Sequence, residues 1–190
     1  MKSFSDYQKN RWFFTSEKKL VVGGKSATQN EELLKKVQNK NYIIMHTSTP
    51  GSPFAVIVAD KKSLSSSDLE ETAVFTACFS QQWKQQKKKT QVDIFSTRQI
   101  FKDKNMKIGT WGVKPKIKIK TVLLSLVLTK QKGKLRAVPE KTTSSFLLKI
   151  KPGNTDKTKM ADKIQKLLDN KFSKEEILSA LPPGGVSISK

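Results

Sequence analysis

The sequence predicts an α+β protein, mostly antiparallel sheet, with a buried central helix and a helical pair near the C-terminus. Three observations lead there. Short apolar runs bounded by glycine, proline or polar turns recur as far as Ile150 and have the length of strands. The segment from Leu69 to Phe79 is apolar on most sides, as a buried helix is. After Asp156 the apolar spacing changes to the period of amphipathic helices.

Residues 1 to 11 are polar and expected to be extended. Trp12, Phe13 and Phe14, a polar turn from Ser16 to Lys19, and Leu20, Val21 and Val22 then form a hairpin running into Gly23 and Gly24. Paired glycines permit positive φ and leave backbone N–H groups unshielded, Lys25 adds a cation, and a helix follows with Leu33, Leu34 and Val37 as its apolar side. A glycine turn before a helix start is a place where an anion can sit on free amides. The spacing is neither G-x-x-x-x-G-K-[ST] nor G-x-G-x-x-G, so no nucleotide cofactor is expected.

Tyr42 to Met45 reads as a strand ending at His46, and Phe54 to Val58 as the next. The loop between them, His46-Thr-Ser-Thr-Pro-Gly-Ser-Pro53, carries an imidazole and four hydroxyls on a backbone limited by Pro50 and Pro53. Two readings stay open: a stiff rim that hydrogen-bonds phosphate or ribose, or a turn capped by its own serine and threonine side chains. Ser67-Asp-Leu-Glu70 has the spacing of a capping box and begins a helix expected to run to Trp83, burying Cys78.

Val92 to Phe95 is a strand, Ser96 to Lys102 a short connection, and Asp103 to Gly109 a loop that brings Trp111 beside a basic surface. Trp111 is either a stacking platform for a base or part of the core. Lys116-Ile-Lys-Ile-Lys120 alternates, so Lys116, Lys118 and Lys120 are expected in a row opposite an apolar face, either following a phosphate backbone or guarding a sheet edge. Val122 to Leu128 is expected as one buried strand. Leu135 to Val138 returns as its hairpin partner after the Lys130 to Lys134 turn, and Phe146 to Ile150 is a last strand closed by Pro152-Gly153. Beyond lie two helices. The first has Met160, Ile164, Leu167 and Leu168 on one stripe, and the second carries Ile177, Leu178 and Leu181.

Composition narrows the function. Lys and Arg number 37 against 16 Asp and Glu, a net charge of +21, and the excess is nearly all lysine. Such a chain repels itself and calls for a polyanion. Residues 84 to 120 hold twelve of the basic residues and two acidic ones, so the patch belongs to the middle of the chain. One cysteine and one histidine cannot assemble an ordinary Cys/His metal site, and a single thiol fits a reducing compartment. The N-terminus has no apolar stretch of signal length and no segment approaches membrane-helix length, so a cytoplasmic location and no membrane partner are expected. H-E-x-x-H, C-x-x-C and G-x-S-x-G are all absent, and no catalytic residue is assigned.

The run Gly23-Gly24-Lys25-Ser26-Ala27-Thr28-Gln29-Asn30-Glu31, preceded by Trp12 to Ser16 and followed by His46 and Pro50-Gly51-Ser52, resembles the NFACT-R domain of ribosome quality-control proteins. Ala73 to Trp83 resembles that family's central helix, and Val92 to Phe101 with Gly109 to Val113 resembles the segment after it more loosely. The resemblance implies a domain over 1–155, with 156–190 as a helical extension packed on it. It implies a free-standing RNA-binding module for tRNA or rRNA, with the ribosome as a partner in translation or quality control. Whole-protein activities such as template-free tailing are not expected to transfer. The candidate residues for nucleic acid are Gly23, Gly24, Lys25, Gln29, Asn30, His46, Thr47, Ser48 and Ser52 in the two loops, with Lys107, Trp111, Lys114, Lys116 and Lys118 on the basic segment. The alternative is a ribosome-associated adaptor that docks a protein through its C-terminal helices.

Overall fold

A computed structural model describes residues 4–189. The expectation of an extended N-terminus falls partly on residues 1–3, outside the described range. From Phe4 onward the chain makes a short helical turn at Tyr7–Lys9, with Tyr7 edge-on to Trp12 and Phe14 at centroid distances of 5.1 and 5.9 Å.

The first sheet has six strands, all antiparallel. Strands β1 (Arg11–Phe14) and β2 (Leu20–Gly23) are the expected hairpin, and β3 (Ile43–Thr47) and β4 (Ala55–Ile57) flank the proline loop. Strand β5 is Lys89–Ser96, β6 (Ile100–Phe101) and β7 (Gly112–Val113) form a small ribbon, and β8 (Lys118–Leu123) completes the order β1-β2-β4-β3-β5-β8. Alternating side chains divide this sheet between two cores. Phe13, Val21, Met45 and Ile57 face helix α2 (Ser66–Cys78) and its Phe75, while Val22, Ile44 and Val56 face helix α1 (Ala27–Val37) and its Leu33, Leu34 and Val37. Helix α2 has all-round apolar character because the core that holds it continues into a second sheet.

That second sheet, in the order β10-β9-β11-β12, is formed by β9 (Leu126–Gln131), β10 (Lys134–Val138), β11 (Leu148–Thr155) and β12 (Val186–Ser189). A two-residue turn joins β9 to β10, with Lys132 at φ 51° and Gly133 at φ 75°, matching the twist of the hairpin. Helices α4 (Lys157–Leu167) and α5 (Lys174–Ala180) bury Met160, Ala161, Ile164, Ile177 and Ala180 in the core shared with α2.

Five expectations are corrected. The capping box uses Ser65 and Asp68, two residues earlier than expected, and the helix stops at Phe79; Ser80 caps a separate short helix, α3 (Gln81–Lys84). Val122 to Leu128 is not one strand, because the chain crosses from the first sheet to the second at Leu124 and Ser125. Pro152-Gly153 does not close β11, which runs on to Thr155 through a register shift, with Gly153 in close approach to Ser187. The C-terminal segment adds a strand, β12, beyond its two helices. Of the expected stripe on α4, Met160, Ile164 and Leu168 are buried but Leu167 is exposed, and Ala161 is buried in addition.

The two sheets meet at β1. The Gln131 side-chain amide donates to Phe14 O and accepts from Phe14 N, both at 2.8 Å, and so pairs with an edge strand as backbone would. Arg136 Nε donates to Trp12 O at 3.2 Å. The β1–β2 turn is tied to α2 by Thr15 Oγ1 donating to Asp68 and Ser16 N and Oγ donating to Glu71.

Candidate nucleic-acid interface

The glycine turn and the proline-flanked loop lie side by side. Gly24, Lys25, Ser26, Asn30, Gly51, Ser52 and Pro53 line one hollow of about 370 Å³, closed by Phe79, Pro183, Arg11 and Lys84. A second hollow of about 460 Å³ shares Ala27, Asn30, Gly51 and Ser52 with it and continues past His46, Phe54, Asp93, Gly109 and Trp111. The two make one groove across the start of α1.

The local physics of the glycine pair differs from the expectation. Neither Gly23 nor Gly24 has positive φ. Gly23 is in register with Arg11 and Ala55 inside the sheet, and Gly24 is needed because a Cβ there would overlap Asn30 Oδ1. Asn30 Oδ1 in turn accepts from Phe54 N at 3.3 Å, tying the turn to the strand after the proline loop. Lys25 N–H donates to Gln29 Oε1 at 2.9 Å, and Ser26 Oγ accepts from Gln29 N at 3.2 Å, so the amide of Lys25 and the side chain of Gln29 are engaged in capping. The amides without an intrahelical partner are those at the helix start, Ala27 and Thr28.

The hydroxyls of the second loop mostly hold the loop itself. Thr47 is buried and its Oγ1 donates to Thr49 O, Ser52 Oγ accepts from Thr47 N, and Ser48 Oγ donates to Asp93 Oδ1. Gln82 Nε2 donates to Thr49 Oγ1 at 2.8 Å. His46 stacks on Phe54 at a centroid distance of 4.6 Å, and its Nδ1 lies 2.7 Å from Thr47 O. A carbonyl only accepts, so the proton belongs on Nδ1 and Nε2 is left as an acceptor in the neutral ring. Burial lowers the imidazole pKa, against the opposing pull of Thr47 O and Asp93, which keeps the ring neutral at pH 7.

The far wall is organised by Glu31. Its Oε2 accepts from Lys102 Nζ at 2.8 Å, Gly109 N at 3.0 Å and Trp111 Nε1 at 3.1 Å, and Lys35 lies 3.3 Å from Oε1. Burial pushes the carboxyl up, but hydrogen bonds from Lys102, Gly109 and Lys35 outweigh it and hold the pKa down to about 2. Trp111 is 7% exposed in the α1 core, the core alternative of its two readings and not the stacking platform, and its ring lines the second hollow.

The lysines divide. Lys107 and Lys114 are exposed and flank the stretch that lines the second hollow. Lys116 and Lys118 border a different depression, beside Leu69 and Ile94 on the α2 face of the sheet, and so do not ring the groove. Lys116 precedes β8 at φ 71° and so lies outside the strand, while Lys118 and Lys120 keep the expected alternation and Lys120 pairs with Glu70 at 3.5 Å. The opposite face is apolar as expected, and it is exposed: Ile117 is 38% and Ile119 57% exposed. Strand β8 is the edge of this sheet.

Of the cations not singled out from the sequence, Arg11 and Lys84 line the first hollow. Arg11 sits over the Phe79 ring at 4.8 Å and Arg136 over Trp12 at 4.7 Å, and neither forms an ion pair among the described residues. The available signal was rarity. The chain has only three arginines among 37 basic residues, and arginine is the cation that tolerates burial and stacking.

The profile of the NFACT protein RNA binding domain matches residues 9–115, which contain both loops, the central helix and the Glu31-anchored wall. The chain belongs to the NFACT-R family. This NFACT-R chain is 29% identical over 197 residues to the archaeal Rqc2 homolog aRqcH of Methanocaldococcus jannaschii, covering 97% of the chain and 29% of that protein. The chain thus spans under a third of the length of that curated relative. Its fold is similar to the C-terminal part of the fibronectin/fibrinogen-binding protein of Streptococcus suis, with a TM-score of 0.55 and 22% identity over 60% of this chain and 46% of that one. Among the described residues no helix is long and apolar enough to cross a membrane.

Proposed function

We propose that this NFACT-R chain binds structured RNA, tRNA or rRNA, in ribosome-associated quality control, by laying a sugar-phosphate segment along the groove between the glycine turn and the proline loop. The observation that carries the reading is the shared lining of the two hollows. Asn30, Gly51 and Ser52 belong to both, with Arg11, Lys25 and Lys84 at one end and the neutral His46 at the other. Cations at one end favour phosphate, and an imidazole Nε2 acceptor suits a ribose 2′-hydroxyl. The remaining lysines, Lys107 and Lys114 among them, contribute long-range attraction. Binding is non-covalent in this reading, so RNA is released unchanged.

The adaptor reading through the C-terminal helices has less surface to work with, since Met160, Ile164, Ile177 and Leu181 are buried in the chain's own core. Titration of a labelled tRNA with Lys25→Glu and Lys163→Glu tests the assignment. Both lysines are exposed, but Lys163 lies on α4, away from the groove. Lys25→Glu is expected to weaken binding about tenfold and Lys163→Glu by less than about twofold. Equal effects would remove the groove from the account, and partners retained after nuclease treatment would favour the adaptor.

A further inference from the structure

The Arg11 end of the groove holds more positive charge than an RNA backbone contact requires. Arg11, half-buried on β1, has the Phe79 ring as its partner and no carboxylate. Arg136, buried in the second sheet, spends one donor on Trp12 O. Lys25 and Lys84 line the same hollow, and neither takes part in an ion pair among the described residues. Lys157, at the start of α4, is close enough to be affected by Arg11. Burial followed by mutual repulsion lowers the pKa of Lys25, Lys157 and Arg136, the last to about 10. Elsewhere in this lysine-rich chain partly buried cations do find acids, as Lys102 finds Glu31 and Lys174 finds Asp162. Cations gathered from β1, the α1 start, α3 and the second sheet repel one another, and the fold holds them together without an ion-pair partner among the described residues. Phe79, Pro53 and Pro183 wall the hollow on the sides it does not share with its neighbour.

We infer that the Arg11–Lys25–Lys84 hollow is a site for a doubly charged phosphate group, with Arg136 raising the local potential from beneath. The amides of Ala27 and Thr28 at the start of α1 supply further donors. A phosphate dianion offsets this cluster better than a single phosphodiester charge and fits a walled hollow better than a continuing chain. Such a group comes either from the end of an RNA strand or from a free phosphate compound. The inference rests on the RNA reading for the first source alone.

The test uses the full chain at fixed ionic strength. Inorganic pyrophosphate is expected to raise the thermal midpoint of the wild type more than chloride does, and Lys25→Gln and Arg11→Gln are expected to lose that rise. Lys25 is exposed, so its variant carries the test if Arg11→Gln folds poorly. A 5′-phosphorylated RNA oligonucleotide and its 5′-hydroxyl twin then separate the sources. A preference for the phosphorylated form of about tenfold in the wild type, absent in Lys25→Gln, assigns the site to an RNA end; pyrophosphate stabilisation without that preference assigns it to a free phosphate compound. A pyrophosphate response no larger than that of chloride, or one unchanged in Lys25→Gln, overturns the inference. RNA binding that persists in that case leaves the proposed function standing, and pyrophosphate stabilisation without RNA binding removes the function while keeping the site.

Discussion

Glu31 is the residue on which the far wall of the groove turns. Its carboxylate collects Lys102, Gly109 N–H and Trp111 Nε1 on one oxygen, so one side chain fixes the 102–111 loop against α1. Glu31→Gln should cost roughly 1–3 kcal/mol, because Lys102 then stays largely buried without its counter-charge. The carboxyl is held at about 2 in the folded chain against 4.5 ordinarily, so its contribution is complete above about pH 4.5 and fades as pH falls towards 2. Chemical denaturation across that window should show a stability loss in the wild type that Glu31→Gln lacks. A matching slope in both proteins would place the acid sensitivity elsewhere. Glu31 was visible in the sequence as part of the Gly23 to Glu31 run, but its role was not, because its partners lie 71 to 80 positions away. Trp111 was left open for the same reason: a sequence shows an indole beside lysines and not the carboxylate beneath it.

At the scale of elements, the hairpins, the helix after the glycines and the buried central helix were legible because each is encoded by neighbours: alternation, turn residues, caps. The break at Ser80 was not, since Ala73 to Trp83 keeps helical composition throughout and only the Ser80 side chain, accepting from Gln82 N, ends one helix and starts another. The glycine turn shows how a correct element can rest on a different cause. Gly24 is required by the closeness of Asn30, not by its φ. Gly24→Ala should therefore displace Asn30 from Phe54 N, costing about 1–3 kcal/mol and disturbing the groove where its two hollows share Asn30. Urea denaturation and tRNA affinity should both suffer. A variant as stable as the wild type would mean that Asn30 can move aside without loss.

For the molecule as a whole, the seam between the sheets decides where charge accumulates. Phe14 and Gln131 lie 117 positions apart and Trp12 and Arg136 lie 124 apart, so nothing local announces that β1 will carry the second sheet on its edge. The same pairing brings the buried Arg136 near enough to be affected by Arg11, which lines one end of the groove. The sequence showed that the chain needs a polyanion and placed its basic patch in residues 84 to 120. The fold sends part of that patch to the α2 face and brings Arg11 and Lys25 to the groove instead. Conformation, not the count of lysines, selects which cations can meet a ligand together.

The most direct test of this account is the salt dependence of tRNA affinity. With the three groove cations Arg11, Lys25 and Lys84 on phosphates, the logarithm of the binding constant should fall against the logarithm of salt with a slope of about −2 to −3. Lys25→Glu should make that slope shallower by about one. A binding constant that stays level from low to physiological salt would contradict the electrostatic groove.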